Sequence, residues 1–514
     1  MVTHPNASCD GFSVQPVKSL PGLAGLVRLV KTVYKPTDCR TTPLVAAQRT
    51  DPMSASVIPA PVQFELGDGE FVLDGATVTG PLAAYAAETL GLEVGQSGTV
   101  RLELSSAGGA PATAGSPAGG YRLEVSPRGI LIEADAEAGL FAGIQTLRQL
   151  RTGGTMPSVR VVDSPRFEYR GAMLDVARHF FSVDDVKRYI DDIALLKLNY
   201  LHLHLTDDQG WRIQIDSWPE LTRAGAVTEI GGRGGGFYTK RQFAEIVEHA
   251  ASRFVTIVPE VDMPGHTNAA GVAYPELSEK PAQPYEGIEV GFSSLKIRSE
   301  RTYEFVDDVV RELTAMTPGP YLHLGGDESL TTSDEDFLYF IARATAIAAR
   351  HGKTLIGWHE MGRSRQLPAG TIGQYWSFTI PQEGASENTL SFVRQGGSII
   401  MSPADVAYLD MKYEESTALG LVWANGPTSV RASSEWEPTA IIGGIGEGQV
   451  LGVEAPLWSE TAASIHDVEY LAFPRLASVA EIGWSPERPR NFDEFEPRLD
   501  AFRAFLDTQG IIHN

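Results

Sequence analysis

Two adjacent carboxylates, Asp327 and Glu328, stand in the stretch Tyr321-Leu322-His323-Leu324-Gly325-Gly326-Asp327-Glu328-Ser329. The apolar run Tyr321 to Leu324 reads as a short buried strand. Two glycines end it and let the backbone turn sharply or let another group approach. Carboxylates just beyond the C-terminal end of a strand occupy the catalytic position of a (β/α)8 barrel. Neighbouring strand residues point to opposite sides, so both carboxyls reach one substrate only if the glycines twist the strand end. Taken alone, the pair reads rather as a Gly-Asp turn followed by a solvated glutamate or a helix cap.

Other residues with chemical capacity fall at similar places. Arg170 opens a predicted strand, and its planar fork can hold two vicinal hydroxyls or form an ion pair at the surface. His202 and His204, two apart on a strand, share one face and could ligate a metal. A metal-dependent barrel hydrolase is therefore a rival reading. It needs further ligands on later strands; Asp262 and His266 are available, but no His or Lys motif closes strands five or six. Trp358, Trp376 and Trp458 each lie near a predicted strand end. One buried tryptophan is ordinary core. Three at strand ends suggest an aromatic-walled pocket.

The elements that must position these residues follow from the chain order. With 514 residues, there is room for a large barrel and a smaller partner. Residues 1–54 have poor periodicity and scattered Pro, Ser, Thr and basic residues, which predicts a disordered tail. The first 52 are expected to be dispensable, with Met53 a candidate start. Residues 55–165 read as a small α+β domain with strands at 71–73, 99–104, 121–125 and 129–134 and helices at 81–92 and 136–151. Residues 107–120 are a Gly- and Ser-rich loop.

From Phe167 strands and helices alternate, which predicts βα units around a parallel sheet over 166–490. Eight strands are expected, at 170–176, 200–205, 254–260, 321–324, 354–358, 372–376, 398–401 and 450–457. Ser182 with Asp185, and Thr239 with Gln242, look like helix caps. Residues 491–514 supply an amphipathic terminal helix packing on the barrel. The fold class is thus α/β, a (β/α)8 barrel preceded by a small α+β domain.

The net charge of −23 argues against nucleic acid and anionic membranes as partners. Both cysteines, Cys9 and Cys39, lie in the first fifty residues, so the body of the chain has no disulfide or thiolate chemistry. No apolar run of membrane-spanning length occurs, and Lys18, Arg28 and Lys31 hem in the one mildly apolar N-terminal stretch. The default location is cytoplasmic, with secretion left open.

The string around Asp327 and Glu328 resembles the His-x-Gly-Gly-Asp-Glu signature of glycoside hydrolase family 20, the β-N-acetylhexosaminidases. The resemblance covers about residues 57 to 490. It is carried also by Tyr169 to Phe180, by His202 to Arg212, by Pro259 to His266 and by the contexts of the three tryptophans. His359 departs from it, standing where many members carry Asp. The resemblance implies an exo-acting, retaining enzyme without metal or cofactor, acting on a terminal β-linked N-acetylhexosamine. It implies Glu328 as general acid, Asp327 as orienter of the substrate's acetamido group and Tyr408 on the acetamido oxygen. Arg170 would grip the far side of the sugar, Asp410 and Glu460 would bind hydroxyls, and Trp358, Trp376 and Trp458 would wall the pocket. Asp207 would support the site, and His266 would bond back to the acid system. An inactive sugar-binding barrel is the non-enzymatic alternative; such a relative would most readily have lost Asp327 or Glu328.

Overall fold

The computed structural model describes residues 57–105 and 119–514. The predicted N-terminal tail and most of the Gly- and Ser-rich loop lie outside the described residues.

The first β system is a seven-stranded mixed sheet. Its strands are β1 (Gln63–Val72), β2 (Thr77–Thr79), β3 (Glu93–Val94), β4 (Val100–Leu104), β5 (Tyr121–Ser126), β6 (Gly129–Ala134) and β7 (Thr155–Asp163). They lie in the order β1-β7-β5-β6-β4-β2-β3. Strict alternation explains β5 and β6. Tyr121, Leu123, Val125, Ile130, Ile132 and Ala134 are buried, and charged residues between them face out. The sequence reading found four of the seven strands. β2 and β3 are too short to show a pattern. β7 follows Gly153-Gly154 and carries Pro157, which is tolerated because it sits beside the irregular register opposite Glu70.

Helix Glu137–Leu150 lies between this sheet and the barrel. Leu140, Ile144 and Leu147 join the sheet's apolar core, while Phe141 joins the barrel's and meets Phe254 at 5.2 Å. Gly139 makes the fit possible, since a Cβ there would lie 2.3 Å from the Gly120 carbonyl oxygen.

The second system is a closed parallel barrel: β8 (Tyr169–Asp175), β9 (Tyr200–His204), β10 (Thr256–Glu260), β11 (Tyr321–His323), β12 (Thr354–Trp358), β13 (Ile372–Tyr375), β14 (Ile399–Met401) and β15 (Val450–Ala455). All eight coincide with predicted strands to within a few residues. Period two assigns the faces. Leu201 and Leu203 pack outward into the apolar layer under the helices, and His202 and His204 point into the barrel. Both predicted capping boxes are formed, Ser182 with Asp185 and Thr239 with Gln242.

The interior is layered. At the floor Tyr169 stacks on Tyr200 at 4.2 Å, with Tyr321 beside it. A polar layer of histidines and glutamates lies above, and Trp358, Tyr408 and Trp458 form the top. The terminal helix Phe492–Gln509 buries Phe495, Leu499, Phe502 and Leu506 in the same apolar cluster as the barrel's helices.

Candidate active site

The loops after the strands enclose a cavity of about 280 Å3 at the C-terminal mouth of the barrel. Asp327 and Glu328 both line it, so the strand end has the twist that the glycines were expected to provide. Gly325 and Gly326 have φ of +66° and +103°, and Glu328 itself sits at +40°. No side chain fits at Gly325, where a Cβ would lie 1.7 Å from Asp262 Oδ1. The same Oδ1 accepts a hydrogen bond from the Gly326 N–H at 2.9 Å. A non-glycine residue held at positive φ marks backbone strain at a functional position.

Behind the pair runs a chain of charges. His266, at the end of the loop after β10, has its Nε2 3.7 Å from Glu328 Oε2 and 3.9 Å from Asp327 Oδ2. Its Nδ1 meets Asp207 Oδ1 at 3.2 Å. Asp207 Oδ2 is held by Arg178 at 2.8 Å and by His204 Nε2 at 2.9 Å. Burial alone would raise the Asp207 carboxyl. The Arg178 guanidinium and His266 outweigh it and hold Asp207 well below the usual carboxylate range. Burial would lower His266, but Asp207 holds it well above the ordinary imidazole value. Glu328 is pushed up to about 7, first by burial and then by the neighbouring Asp327 charge.

The walls are aromatic. Trp376 and Trp458 line the cavity with Tyr408, and Trp358 lies fully buried beneath, 6.0 Å from Trp458. Both oxygens of Glu360 accept from Trp376 Nε1, at 3.0 and 2.9 Å, which fixes that ring. Asp410 is buried nearby and Glu460 half-buried. Both Asp410 oxygens and one Glu460 oxygen lack a protein partner, and burial raises both carboxyls. His359 packs behind Trp376 at 5.5 Å, and burial pushes its ring down to about 3, so it is neutral.

Arg170 is not brought to this place. It lies at the opposite, N-terminal end of β8, where Nε donates to the Lys197 carbonyl at 3.1 Å and Nη1 to the Phe167 carbonyl at 2.7 Å. Its guanidinium sits 4.9 Å over the Trp484 ring. The arginine at the cavity is Arg178, eight residues on. The signal was available, because Arg178 lies past the C-terminal end of the strand, where the barrel places function. Trp423 was missed as well. It is 44% exposed at the cavity's edge, T-shaped to Tyr408 at 5.6 Å. A lone loop tryptophan carries no sequence pattern.

Among the described residues, four groups of His, Asp and Glu lie close enough together to hold a cation, among them His202 with Glu260 and His323, and His204 with Glu260 and Asp262. Some of their atoms are engaged with one another, while His202 Nε2, His323 Nε2, Glu260 Oε1 and Asp262 Oδ2 have no hydrogen-bond partner. Both His204 nitrogens meet carboxylate oxygens. The Arg178 guanidinium stands 2.8 Å from Asp207 and 3.2 Å from His204 Nε2, where its charge opposes a second cation. At His204 and Asp207 these contacts suit shared protons.

The family model for the glycosyl hydrolase family 20 catalytic domain matches residues 167–487, and that for domain 2 of the family matches residues 54–164. A β-N-acetylhexosaminidase of Cellulomonas fimi is 43% identical over 480 residues, spanning 89% of this chain and 95% of that protein. The structure of Streptomyces plicatus N-acetyl-β-hexosaminidase in complex with thio-NAglucal is 43% identical, with a TM-score of 0.85 over 91% of this chain and 98% of that one. The exo-β-N-acetylglucosaminidase of Vibrio harveyi in complex with N-acetylglucosamine is 30% identical, with a TM-score of 0.78 over 91% of this chain and 79% of that one. The chain belongs to glycoside hydrolase family 20.

Proposed function

We propose that this protein is an exo-acting, retaining β-N-acetylhexosaminidase that removes terminal non-reducing GlcNAc or GalNAc by substrate-assisted catalysis. One observation carries the reading. Asp327 and Glu328 face one small aromatic cavity with a shared histidine behind them. A cavity of about 280 Å3 suits a single sugar rather than a chain, which favours exo action.

Ordinary retaining glycosidases use a second carboxylate about 5 Å away as nucleophile, and this family is an exception. Here the substrate's 2-acetamido oxygen attacks the anomeric carbon while Glu328 gives its proton to the glycosidic oxygen. The aglycone leaves as an alcohol and an oxazolinium remains. Asp327 accepts the acetamido N–H and stabilises the positive charge that develops there. Tyr408 holds the acetamido oxygen. Glu328, now a carboxylate, takes a proton from the incoming water, which opens the ring with retention. Asp410 and Glu460 have carboxylate oxygens to spare for sugar hydroxyls, and Arg178 takes the role first given to Arg170. Trp358, Trp376 and Trp458 enclose the methyl and the sugar face. No step requires a metal or cofactor.

An intramolecular attack is fast because the nucleophile is already in place. A β-glucoside with a plain 2-hydroxyl lacks that nucleophile and is expected to be cleaved negligibly, even at saturating concentration. Proton NMR of fresh product from an N-acetyl substrate should show the β-anomer first. Initial α-anomer, or ready cleavage of the glucoside, overturns the reading.

A further inference from the structure

The contacts of Asp207 continue past the catalytic pair into the barrel axis. His204 lies inside the barrel at the end of β9, fully buried. Its Nδ1 meets Glu260 Oε2 at 2.5 Å and its Nε2 meets Asp207 Oδ2 at 2.9 Å. Glu260 is itself shared. His323 Nδ1, which accepts from the Gly325 N–H at 3.0 Å, lies 2.9 Å from its Oε1, and His202 Nε2 lies 3.1 Å from its Oε2; neither contact is aligned as a hydrogen bond. His202 Nδ1 hydrogen-bonds Glu454 Oε1 at 3.0 Å, and Glu454 accepts from Tyr169 at the floor at 2.5 Å. From floor to mouth the order is Tyr169, Glu454, His202, Glu260, His204, Asp207, His266 and the two catalytic carboxyls.

A neutral imidazole has one N–H and one lone pair. It can satisfy one carboxylate, but its second nitrogen would then press a lone pair against the other. His204 faces carboxylates on both sides. An unprotonated Nε2 accepting from Arg178 Nη1 at 3.2 Å is the competing arrangement. It leaves that bare nitrogen 2.9 Å from a carboxylate oxygen. We propose that His204 is an imidazolium throughout the working range and acts as a positioning residue, tying Asp207, and through it His266 and the catalytic acid, to the carboxylate core of the barrel. The role assigned rests on Glu328 being the acid.

The groups around the chain agree with this. His204 is faced by Glu260 from β10, by Asp262 from the loop after it, by Asp207 from its own strand end, and by Arg178, itself 3.6 Å from Asp175, from the loop after β8. The Trp458 ring from the loop after β15 packs edge-on at 4.9 Å. Asp207 is faced by Arg178, His204 and His266, and His266 by Asp207, Asp327 and Glu328, with the Asp262 charge close by. With His204 protonated, Asp207 keeps one oxygen on His204 and Arg178 and offers the other to His266. Without that anchor Asp207 could turn, and His266 would lose its orientation toward Glu328. Burial would lower His204, but Glu260 and Asp207 raise it to about 9.

Two measurements test this, one independent of activity. In wild-type protein selectively labelled with 15N-histidine, with the His204 signals assigned by their loss in His204→Gln, both ring nitrogens of His204 should be protonated from pH 6 to pH 8. A neutral ring overturns the proposal whatever the enzyme's substrate proves to be. In the second, kcat for His204→Gln is compared on an alkyl and an activated aryl β-N-acetylglucosaminide. Glutamine can bridge only one side. The alkyl glycoside, which needs the acid, should lose roughly tenfold more than the aryl one, and the basic limb of kcat/KM should shift up by roughly half a pH unit as one cation near Glu328 disappears. Equal losses on both substrates with an unmoved limb would mean that His204 only props Trp458, and the proposal fails.

Discussion

The two ends of the barrel treat buried charge in opposite ways. At the floor, Lys197 is fully buried and its Nζ lies 3.0 Å from Asp163 Oδ2 and 3.1 Å from Tyr121 OH. The other Asp163 oxygen accepts from Trp484 Nε1 at 2.9 Å, and the Lys197 ammonium sits 4.6 Å over that ring. Arg170 closes the group through two carbonyls. These residues come from both β systems and join the sheet domain to the barrel. At the mouth, neither Asp410 oxygen has a protein partner, and one oxygen each of Asp262, Asp327 and Glu460 is likewise unmatched. Buried polar groups are ordinarily satisfied because an unmet one costs about 1–3 kcal/mol. The floor is complete without substrate. On the proposed reading a ligand rich in hydroxyl and amide groups would complete the mouth, and its charges would serve binding at the expense of stability.

The largest effect expected from breaking this contrast is at Glu328. Glu328→Gln removes the acid and should lower kcat by roughly 10²–10⁴, most on alkyl glycosides whose leaving group needs a proton. Asp327→Asn should be as severe but should persist on activated aryl glycosides, because the oxazolinium loses its counter-charge in either case. Rescue of Asp327→Asn by an activated substrate would reverse the two roles. In the wild type, Glu328 is raised to about 7, so the protonated form needed for catalysis is present below that value. The kcat/KM for an alkyl glycoside should therefore fall as pH rises through about 7.

The division between the two ends also decides what could be read from the chain alone. Period-two and period-3.6 patterns made all eight barrel strands and the two capping boxes legible, because each is written in neighbouring residues. The pair at 327–328 was legible for the same reason. Arg170 lies away from the cavity because strand direction, not residue type, decides which end of β8 lines it. Arg170 and Arg178 are both buried arginines of one strand–loop unit. β7 was lost to its glycines and proline. Trp423 and the partners of Glu260 were invisible because they depend on contacts between segments dozens to hundreds of residues apart.

The arginine pair sharpens the contrast directly. Arg178→Gln should lower kcat/KM by roughly 2–5 kcal/mol in free-energy terms, the effect of truncating one partner of a buried, hydrogen-bonded charge pair. At the floor, Lys197→Met leaves Asp163 buried without its cation and should lower unfolding free energy by roughly 3–5 kcal/mol. The folded enzyme should keep its kcat and KM at 25 °C. Arg170→Gln should follow Lys197→Met rather than Arg178→Gln. An increase in KM with no loss of thermal stability would put Arg170 back among the sugar-binding residues.

The smallest effect is the one most particular to the mouth. Asp410 is raised well above the ordinary aspartate value, first by burial and then by the Glu460 charge. A carboxyl raised on folding binds its proton more tightly in the native state than in the unfolded chain. Below the unfolded value both states are protonated and nothing is lost. As pH rises from there toward the folded value, the unfolded chain ionises first, so the native state is progressively destabilised. At neutral pH Asp410→Asn removes this penalty while nearly preserving shape and hydrogen-bonding reach. Its melting temperature should rise, by roughly 2 °C for a change near 1 kcal/mol in a chain of this size. At pH 4 the gain should shrink toward zero. Activity should fall at both pH values, because the amide replaces one of the two oxygens that can accept from a sugar hydroxyl. A melting temperature lowered at pH 7 would mean that Asp410 is satisfied within the fold, and that the mouth differs from the floor in shape alone.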